Sequence, residues 1–377
     1  MNNKKIVITG GHLTPALSVI EELEKRGWRI FFIGRKYASE ESKTPSVESE
    51  VIPQRGIPFY PLIAGRVRRF FNWHTVISWL KIPIGFFQAL YYLWKIKPGI
   101  ILSFGGYLSV PVVFGGWLLR IPVITHEQTT VKGLATKFNS LFAKKIAISW
   151  RQTKKNFPKK KTVLTGNPLR KEIFLVEENF WRSLKYPENK PLIFVTGGNQ
   201  GSQIINQTIT KIIPQLLEKV NIFLQCGKLA DKEMIKKLGE IKKSLPKELR
   251  KSFHYKRYLS PLEMGTLLNK ADLVISRSGA NTVAELAILG KPAILIPLPW
   301  LYQDEQTKNA KMLKRVGIAE ILPQSSLTPE ILLDLIFKMI KNLNSYQKNA
   351  FKAKKLVILD AGKRLADLVE KTFNEKN

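Results

Sequence analysis

The sequence predicts an α/β protein with two Rossmann-like domains, each built on a parallel sheet. Its 377 residues exceed what one hydrophobic core usually organises. A strand that ends in Thr-Gly-Gly and leads into a helix occurs twice, at 4–11 and again at 191–198, which indicates a duplicated unit. A third stretch, 271–310, has the order strand, loop, helix, strand that is typical of a parallel sheet.

The composition narrows the classes of partner. Lysine and arginine total 61 against 29 aspartate and glutamate residues, so the formal net charge is +32 and the isoelectric point is near 10.1. Such a charge favours an anionic partner, which could be a nucleic acid, an acidic membrane surface or a phosphorylated substrate. The single cysteine, Cys226, excludes an internal disulfide or a cysteine metal cluster and fits a reducing cytoplasm.

Neither an export signal nor a membrane span is expected. The first strand begins without a preceding apolar signal core. The uncharged stretch 99–119 is long enough to raise a transmembrane helix, but Gly105 and Gly106 divide it into a strand and a helix start.

The first half begins with a strand at 4–9, a Gly-Gly turn and a helix. Thr14 is expected to be the N-cap of this helix, with Pro15 in its first position and Gly27 at its end. Apolar residues repeat at helical spacing between these limits, and the next strand follows at 29–33. This order predicts a Rossmann-like half.

Two later strands of this half end in polar residues. The strand at 100–104 leads into a Gly-Gly-Tyr segment, and the strand at 123–125 leads into a His-Glu-Gln segment. Because parallel strands end at the same edge of a sheet, these segments should lie beside the first glycine turn. The side chains expected to gather there are His12, Tyr107, His126 and Glu127.

One stretch of the second half combines the features of a nucleotide-sugar site. An apolar strand at 272–276 is followed by a Ser-Gly turn, a helix over 282–289 and another strand. The helix start offers free backbone N–H groups and a positive dipole end, which suit a diphosphate. Glu285 is placed to accept two ribose hydroxyls, unless Thr282 and Glu285 only form a capping box. The polar residues that follow the second strand are Asp304, Glu305, Gln306 and Asn309.

Five short segments together form a specific pattern. They are Gly-Gly-His at 10–12, Gly-Gly-Tyr at 105–107, His-Glu-Gln at 126–128, Gly-Asn-Pro-x-Arg at 166–170 and Ser-Gly-Ala-x-Thr-x-x-Glu at 278–285. This pattern resembles the GT-B glycosyltransferases, and most closely the family of N-acetylglucosaminyltransferases that complete lipid II in peptidoglycan synthesis. The resemblance runs through nearly the whole chain.

The resemblance implies a GT-B fold, in which two Rossmann-like domains with parallel sheets face each other across a cleft. The first domain is then expected at 1–166, on the acceptor and membrane side, and the UDP-sugar domain at 167–354. A last helix at about 355–377 is expected to pack back on the first domain.

The resemblance also implies an inverting transfer of N-acetylglucosamine from UDP-N-acetylglucosamine to the muramoyl 4-hydroxyl of lipid I, a polyprenyl-pyrophosphate-linked muramoyl peptide. The family's acceptor residues correspond to Tyr107, His126 and Glu127. Its donor residues correspond to Thr9, Gly10, Gly11, Thr129, Arg170, Asn199, Gln200, Gly201, Leu259, Ala280, Asn281, Thr282, Val283, Ala284, Glu285 and Gln306. Asn199 and Thr129 stand where serine and asparagine are usual.

We expect no cofactor and no metal. The sequence has no Asp-x-Asp pair, and its four histidines lack the spacing of metal ligands. Protein groups alone are then expected to stabilise the departing UDP. The helix starts after Gly198 and Gly279, together with Arg170, can do so through fixed dipoles and one cation.

Two residues are candidates for the general base that deprotonates the acceptor hydroxyl. His12 lies at a predicted helix start, where the dipole disfavours the protonated imidazole and keeps it able to accept a proton. Glu127 is the alternative.

The stretch 59–94, with Lys95 and Lys97 just after it, is unusually rich in aromatic and basic residues. Such a stretch can stack on nucleic-acid bases, lie at a membrane surface or form an ordinary core helix. The polyprenyl-linked acceptor favours the membrane surface and predicts peripheral attachment to the anionic cytoplasmic face of the cell membrane. The residues concerned are Arg66, Arg68, Arg69, Phe70, Phe71, Trp73, Trp79, Lys81, Phe86, Phe87, Tyr91, Tyr92, Trp94, Lys95 and Lys97.

Three other functions are compatible with parts of the sequence. Another GT-B enzyme could glycosylate a lipid such as diacylglycerol. The net charge of +32 could serve nucleic-acid binding, although no specific nucleic acid is expected. A dinucleotide-binding oxidoreductase is disfavoured because neither glycine turn has a full Gly-x-Gly-x-x-Gly motif.

Overall fold

The chain folds into two compact units. The computed structural model describes residues 4–37, 44–63, 65 and 73–375. The units are Met1–Arg170 together with Ile358–Asn377, and Lys171–Val357. The sequence placed the corresponding divisions after 166 and after 354.

A parallel sheet forms the centre of the first unit. Its strands in the described residues are β1 (Lys5–Thr9), β2 (Arg29–Gly34), β3 (Phe59–Pro61), β4 (Ile100–Ser103), β5 (Val123–Glu127), β6 (Lys145–Ile148) and β7 (Thr162–Leu164). Their order across the sheet is β3-β2-β1-β4-β5-β6-β7, and each pairing is parallel. The order reverses between β1 and β4, and open α/β sheets bind ligands outside the carboxyl ends of strands at such a switch point.

The second unit repeats this arrangement. Its strands in the described residues are β8 (Leu192–Thr196), β9 (Asn221–Gln225), β10 (Phe253–Lys256), β11 (Leu273–Ser276), β12 (Ala293–Leu295) and β13 (Ala319–Ile321). They pair in parallel in the order β10-β9-β8-β11-β12-β13, so the switch point lies between β8 and β11. Two parallel sheets confirm the predicted α/β class.

Helices connect and cover the strands. They are α1 (Leu13–Lys25), α2 (Val47–Gln54), α3 (Trp73–Ile96), α4 (Ser109–Leu118), α5 (Leu134–Phe142), α6 (Glu178–Leu184), α7 (Gln203–Thr210), α8 (Ile213–Leu217), α9 (Lys232–Ser244), α10 (Lys247–Arg250), α11 (Pro261–Lys270), α12 (Ala280–Leu289), α13 (Glu305–Arg315), α14 (Pro329–Lys341), α15 (Leu343–Lys348), α16 (Ala350–Lys354) and α17 (Ala361–Asn374). Short 3-10 helices occur at Arg151–Asn156, Lys171–Phe174, Tyr302–Asp304 and Gln324–Ser326.

Helices pack on both faces of the first sheet. In β1, Ile6 and Ile8 belong to a core cluster with residues of α1 and α17, whereas Val7 belongs to a second cluster with residues of α3 and α4. Successive side chains of a strand point to opposite faces, so a sheet covered on both sides needs continuously apolar strands. This is why the strands read as short apolar runs in the sequence.

The last helix completes the first unit. Phe373 of α17 packs edge-on against Trp28, with ring centroids 5.1 Å apart. Beside them, Arg26 Nη1 lies 2.7 Å from Asp367 Oδ1 and 3.0 Å from Glu370 Oε2. The chain therefore returns to its first unit after building the second.

Three predictions about individual elements were incomplete or wrong. Strands β3 and β13 were not expected, because each has three residues, lies at a sheet edge and keeps partly exposed side chains. The N-cap of α1 is His12, and Thr14 lies inside the helix. Pro15 is thus the third helical residue, a position whose N–H would also lack an intrahelical partner.

The stretch 99–119 forms β4 and α4, divided at the two glycines as expected. Among the helices that the structure describes, none is both long enough and apolar enough to cross a bilayer.

Candidate functional site

The first glycine turn packs directly on the loop that follows β4. Gly11 N donates a hydrogen bond to Gly105 O at 3.1 Å. Gly10 has a φ of +140°, and a Cβ on it would lie 2.8 Å from the carbonyl carbon of Phe104. Any larger residue would separate the two loops, so Gly10 permits the backbone contact at this switch point.

A buried hydrogen-bond network supports the Gly-Gly-Tyr loop from below. Asn139 Nδ2 of α5 donates to Ser109 Oγ at 2.7 Å, and Ser109 Oγ in turn donates to Gly106 O at 2.8 Å. Gly105 N donates to Ser103 Oγ at 3.2 Å. Because these groups are buried, losing a partner would be costly, and the network holds the backbone beside Tyr107 in place.

His12 lies at the start of α1, as predicted. It is the N-cap residue, but its side chain makes no capping hydrogen bond, and the residue is exposed. Desolvation, followed by the positive charge of Arg35, lowers the pKa of His12 to about 4. Since part of the residue still reaches solvent, the desolvation is incomplete, but both causes favour the neutral imidazole. A neutral, accessible imidazole can accept a proton.

His126 is a buried part of the same edge. Its Nε2 lies 3.0 Å from Gly166 O and must donate, because a carbonyl oxygen only accepts. Burial lowers the pKa of His126 to about 4, with a smaller contribution from His12, while the bond to Gly166 acts in the opposite direction. His126 is 1% exposed. Its ring therefore supports the loop around Gly166 and offers almost no surface to an acceptor substrate.

Gly166 requires its lack of a side chain. Its φ is +89°, and a Cβ would lie 2.7 Å from Ile358 Cβ and 2.9 Å from Ala361 Cβ. The glycine of the Gly-Asn-Pro segment therefore lets the start of α17 approach the end of the first sheet.

Glu127 organises its own loop. Its carboxylate accepts hydrogen bonds from Thr129 N at 3.1 Å, Thr129 Oγ1 at 2.9 Å and Gly133 N at 3.0 Å. The side chain of Thr136 also donates to it. Burial raises the pKa of Glu127, and these donors oppose that change. A carboxylate that is 4% exposed and surrounded by its own loop is poorly placed as a general base.

Gln128 follows Glu127, and the sequence pattern included it only as the last residue of the His-Glu-Gln segment. Gln128 is 2% exposed, and neither oxygen nor nitrogen of its side-chain amide has a hydrogen-bond partner among the described residues. Thr129, named for the donor, is also buried, with Oγ1 2.6 Å from Val131 O. The side chain of Thr129 therefore stabilises the loop after β5.

The second glycine loop is built against another glycine that the sequence did not single out. Gly201 and Gly227 have φ of +90° and +95°, and a Cβ on either one would collide with the backbone of the opposite loop. Lys228 N donates to Asn199 O at 2.9 Å, and Leu229 N donates to Gln200 O at 3.1 Å. The two loops support each other and expose the side chains of Asn199 and Gln200.

Two helices at this switch point begin without side-chain caps. The N-cap residues are Ser202 for α7 and Gly279 for α12, and neither helix has an acidic residue in its first turn. The predicted alternative of a capping box is wrong, because α12 starts at Ala280 and Glu285 lies in its second turn. Uncapped N–H groups and two positive dipole ends favour an anion beside adjacent strands β8 and β11.

The remaining residues named for the donor are distributed over both units. Glu285 is 7% exposed on α12, whereas Val283 and Ala284 pack in the core, so only their backbones can reach a ligand. Leu259 is buried after β10, and Arg170 is the last residue of the first unit and partly buried.

Helix α13 connects two loops at the carboxyl edge of the second sheet. Gln306 O accepts a hydrogen bond from Ser278 Oγ at 2.9 Å, and Gln306 Oε1 accepts one from Leu298 N at 3.0 Å. Gln306 thus connects the start of α12 with the loop after β12. In the part of the chain that the structure describes, no group of three or more His, Cys, Asp or Glu residues could hold a metal ion. Metal-free donor binding stays a prediction.

Comparisons with known families match both units. The glycosyltransferase family 28 N-terminal domain matches residues 8–148, and the family 28 C-terminal domain matches residues 192–369. The chain is 34% identical to a Clostridium tetani protein named UDP-N-acetylglucosamine–N-acetylmuramyl-(pentapeptide) pyrophosphoryl-undecaprenol N-acetylglucosamine transferase, over 99% of both chains. A Clostridium kluyveri protein of the same name is 33% identical over 98% of this chain and 99% of its own length.

Solved structures agree with this. The crystal structure of Acinetobacter baumannii MurG has a TM-score of 0.71 and 27% identity, and it covers 97% of this chain and 99% of that one. UDP-GlcNAc 2-epimerase from Neisseria meningitidis, solved bound to UDP-GlcNAc, has a TM-score of 0.66 and covers 97% of this chain and 99% of that one. At 13% identity it shows a shared fold only.

Proposed function

Because the chain belongs to glycosyltransferase family 28, we propose that it transfers N-acetylglucosamine from UDP-N-acetylglucosamine to lipid I and so forms lipid II. The observation that carries this proposal is that the similarity to relatives with this named activity runs through both units. Neither transfer to diacylglycerol nor nucleic-acid binding has comparable support.

The second unit supplies the groups that suit the donor. Two uncapped helix starts, at Ser202 and Gly279, offer backbone N–H groups to a diphosphate. Glu285 lies on the second turn of α12, from which a carboxylate could accept the ribose hydroxyls of UDP. These groups act through fixed dipoles and need no reorganisation when charge develops on the departing UDP.

His12 is the general base that we propose. It is neutral, exposed and free of a capping role, whereas Glu127 is buried in its loop. In the transfer, the imidazole takes the proton of the muramoyl 4-hydroxyl and the oxygen attacks the anomeric carbon. The bond from that carbon to UDP breaks, its electron pair leaves with the diphosphate, and attack from the opposite side inverts the configuration.

A membrane surface is the place where we propose that the enzyme meets its acceptor. On α3 a row at helical spacing is strongly exposed, with Ile84 at 54%, Phe87 at 68% and Trp94 at 65%. The apolar side chains of a helix normally face the protein core. A contiguous apolar patch that stays exposed marks an interaction site.

Neighbouring helices extend this apolar row. Helix α4 packs against both α3 and α5. Leu134, Phe138 and Leu141 form a second exposed row on α5, with Lys137 between them. Aromatic and aliphatic side chains beside a cation suit an anionic lipid surface. The predicted basic cluster Arg66, Arg68 and Arg69, with Phe70 and Phe71, lies outside the described residues, as do the side chains of Trp73 and Trp79.

The activity is tested with the purified full chain, UDP-N-acetylglucosamine and a short-chain lipid I analogue. We expect one N-acetylglucosamine to be added in a β linkage, and a chelator to leave the rate unchanged. Diacylglycerol and UDP-glucose serve as mismatched acceptor and donor. Transfer to diacylglycerol but not to the lipid I analogue would overturn the proposal in favour of the alternative enzyme.

Donor binding gives an independent measurement. A ligand present at 100 times its dissociation constant stabilises the folded state by about 2.7 kcal/mol. Saturating UDP-N-acetylglucosamine should therefore raise the melting temperature, and GDP- and dTDP-sugars should not. Absence of any shift with the UDP-sugar would contradict the assigned donor.

A further inference from the structure

Arg277 connects the loops at the carboxyl edge of the second sheet. It follows the last residue of β11, and its guanidinium reaches three other segments. Nη1 donates to Ile296 O at 3.0 Å and to Pro297 O at 3.4 Å, just after β12. Nη2 donates to Ser202 Oγ at 2.8 Å, after the glycine loop of β8, and to Gln324 Oε1 at 2.8 Å, after β13.

The charge of Arg277 has no counter-ion in this arrangement. All four acceptors are neutral oxygens, and no ion pair recorded among the described residues includes this guanidinium. Burial lowers the pKa of Arg277, but a guanidinium stays protonated at neutral pH. A partly buried cation without a carboxylate costs free energy unless another group offsets its charge.

Its position makes this cost larger. Arg277 precedes the N-cap of α12 by two residues and contacts the N-cap of α7, so it lies beside two positive helix ends. Cations are normally disfavoured near helix N-termini. These three positive contributions create a positive electrostatic potential at one sheet edge, and a bound anionic ligand would offset it.

Arg277 also occupies the side-chain oxygen of Ser202, the N-cap residue of α7. A serine at an N-cap usually accepts a hydrogen bond from the first turn of its helix. Here Ser202 makes no such bond, and its oxygen accepts from Arg277 instead. A Cβ on Gly197 would collide with Ser202 N, so the glycine loop folds tightly over this residue. The guanidinium thus leaves the start of α7 open while holding the loop beside it.

We propose that Arg277 is a positioning residue for the diphosphate of the donor: it sets the spacing between the two open helix starts and supplies an uncompensated positive charge to the edge that binds UDP. This inference rests on the proposed function. Sequence reasoning did not find it, because Arg277 has no spacing signal and its partners are distant in the chain, with Ser202 separated by 75 residues.

The test compares three ligands that differ only in the number of phosphate groups on the same nucleoside. Affinities for UDP, UMP and uridine are measured by calorimetry for the wild type, Arg277→Gln and Arg277→Lys. We expect Arg277→Gln to lower the affinity for UDP by about tenfold or more, because the diphosphate loses a charged partner. The affinity for uridine should stay within about twofold of the wild-type value. Arg277→Lys keeps the charge but cannot reach four acceptors, so it should recover part of the preference for UDP while kcat stays low.

Two further variants separate positioning from folding. Gln324→Ala and Ser202→Ala each remove one hydrogen-bond partner of the Arg277 guanidinium and leave its charge in place. Both variants should therefore lower kcat by a larger factor than they lower the affinity for UDP. Arg250→Gln is the matched control. Like Arg277, Arg250 donates to neutral oxygens, in its case the backbone carbonyls of Leu245 and Lys243, but it precedes β10 at the opposite sheet edge. It should change neither quantity.

The outcomes discriminate between the two proposals. If the wild type binds no UDP and transfers no sugar, the proposed function fails. If the wild type binds UDP and Arg277→Gln binds it equally well, only the role of Arg277 is overturned. Equal losses of UDP and uridine affinity, or a melting temperature lowered as much by Arg277→Lys as by Arg277→Gln with no change in UDP preference, would reduce Arg277 to a structural residue and also overturn it.

Discussion

Glu127 Oε2 accepts a hydrogen bond from Gly133 N at 3.0 Å, which closes the loop after β5 on its own carboxylate. The other oxygen, Oε1, accepts from the amide and the hydroxyl of Thr129. This relationship separates the two residues that the sequence offered as general base. Glu127 builds the loop, and His12 is left accessible.

Replacing His12 should affect turnover and little else. Because its side chain is exposed and caps nothing, His12→Ala should leave the melting temperature within about 2 °C of the wild type. Removal of a general base should lower kcat by about a hundredfold or more, with UDP affinity unchanged. Steady-state kinetics and calorimetry check this. A kcat near the wild-type value would exclude His12 as the base.

Replacing Glu127 should act on stability first. Glu127→Ala leaves two donors without their acceptor, the buried Thr129 N and the partly buried Gly133 N, at about 2 kcal/mol or more in total. We expect a clear fall in the melting temperature of the first unit, measured by calorimetry. Glu127→Gln keeps one acceptor oxygen and should fall less. If both variants kept wild-type stability but lost all turnover, Glu127 would be the better candidate for the base.

The stability of the first unit should depend on pH through His126. Its pKa is lowered from 6.5 to about 4, so between these values the unfolded chain binds more protons than the folded one. Stability is therefore retained above pH 6.5 and lost as the pH falls toward 4, by about 3 kcal/mol over the full interval.

The comparison variant for this effect is His126→Gln, whose amide can still donate to Gly166 O. Melting temperatures at pH 7.5 and 4.5 should differ less in the variant than in the wild type. Subtracting the two profiles removes the contribution of Glu127, whose pKa is raised by burial and which acts in the opposite direction. Identical profiles would mean that His126 is not a source of the acid lability.

The exposed row on α3 and α5 should control membrane attachment. Phe87→Ser combined with Leu141→Ser removes two side chains that are each 68% exposed. We expect binding to vesicles with anionic lipid to weaken by about tenfold in a sedimentation assay, because each apolar side chain contributes about 1 kcal/mol or more when it leaves water. Activity on a water-soluble acceptor should be unchanged.

Leu359→Ser is the matched control for vesicle binding. Leu359 is 75% exposed in the same unit but lies outside α3, α4 and α5. It should bind vesicles like the wild type. If all variants sedimented equally, attachment would depend on other residues.

Much of the architecture could be predicted because it is written in local sequence. Buried parallel strands are continuous apolar runs, and glycines mark the turns at their carboxyl ends, as at Gly10 and Gly201. The resemblance to the peptidoglycan N-acetylglucosaminyltransferases was confirmed by the relatives of the whole chain. Edge strands β3 and β13 were missed because each has three residues, most of them partly exposed, which do not form a recognisable apolar run.

The sequence by itself determined the two parallel sheets, the positions of the loops that carry polar residues and the family to which they belong, because periodicity and glycine spacing act over a few residues. Only the tertiary structure decided what those polar residues do. His126 meets Gly166 across 40 residues, and Arg277 meets Ser202 across 75. Such partners are selected by the packing of whole elements, so whether a side chain supports a loop or faces a substrate depends on contacts that no local pattern records.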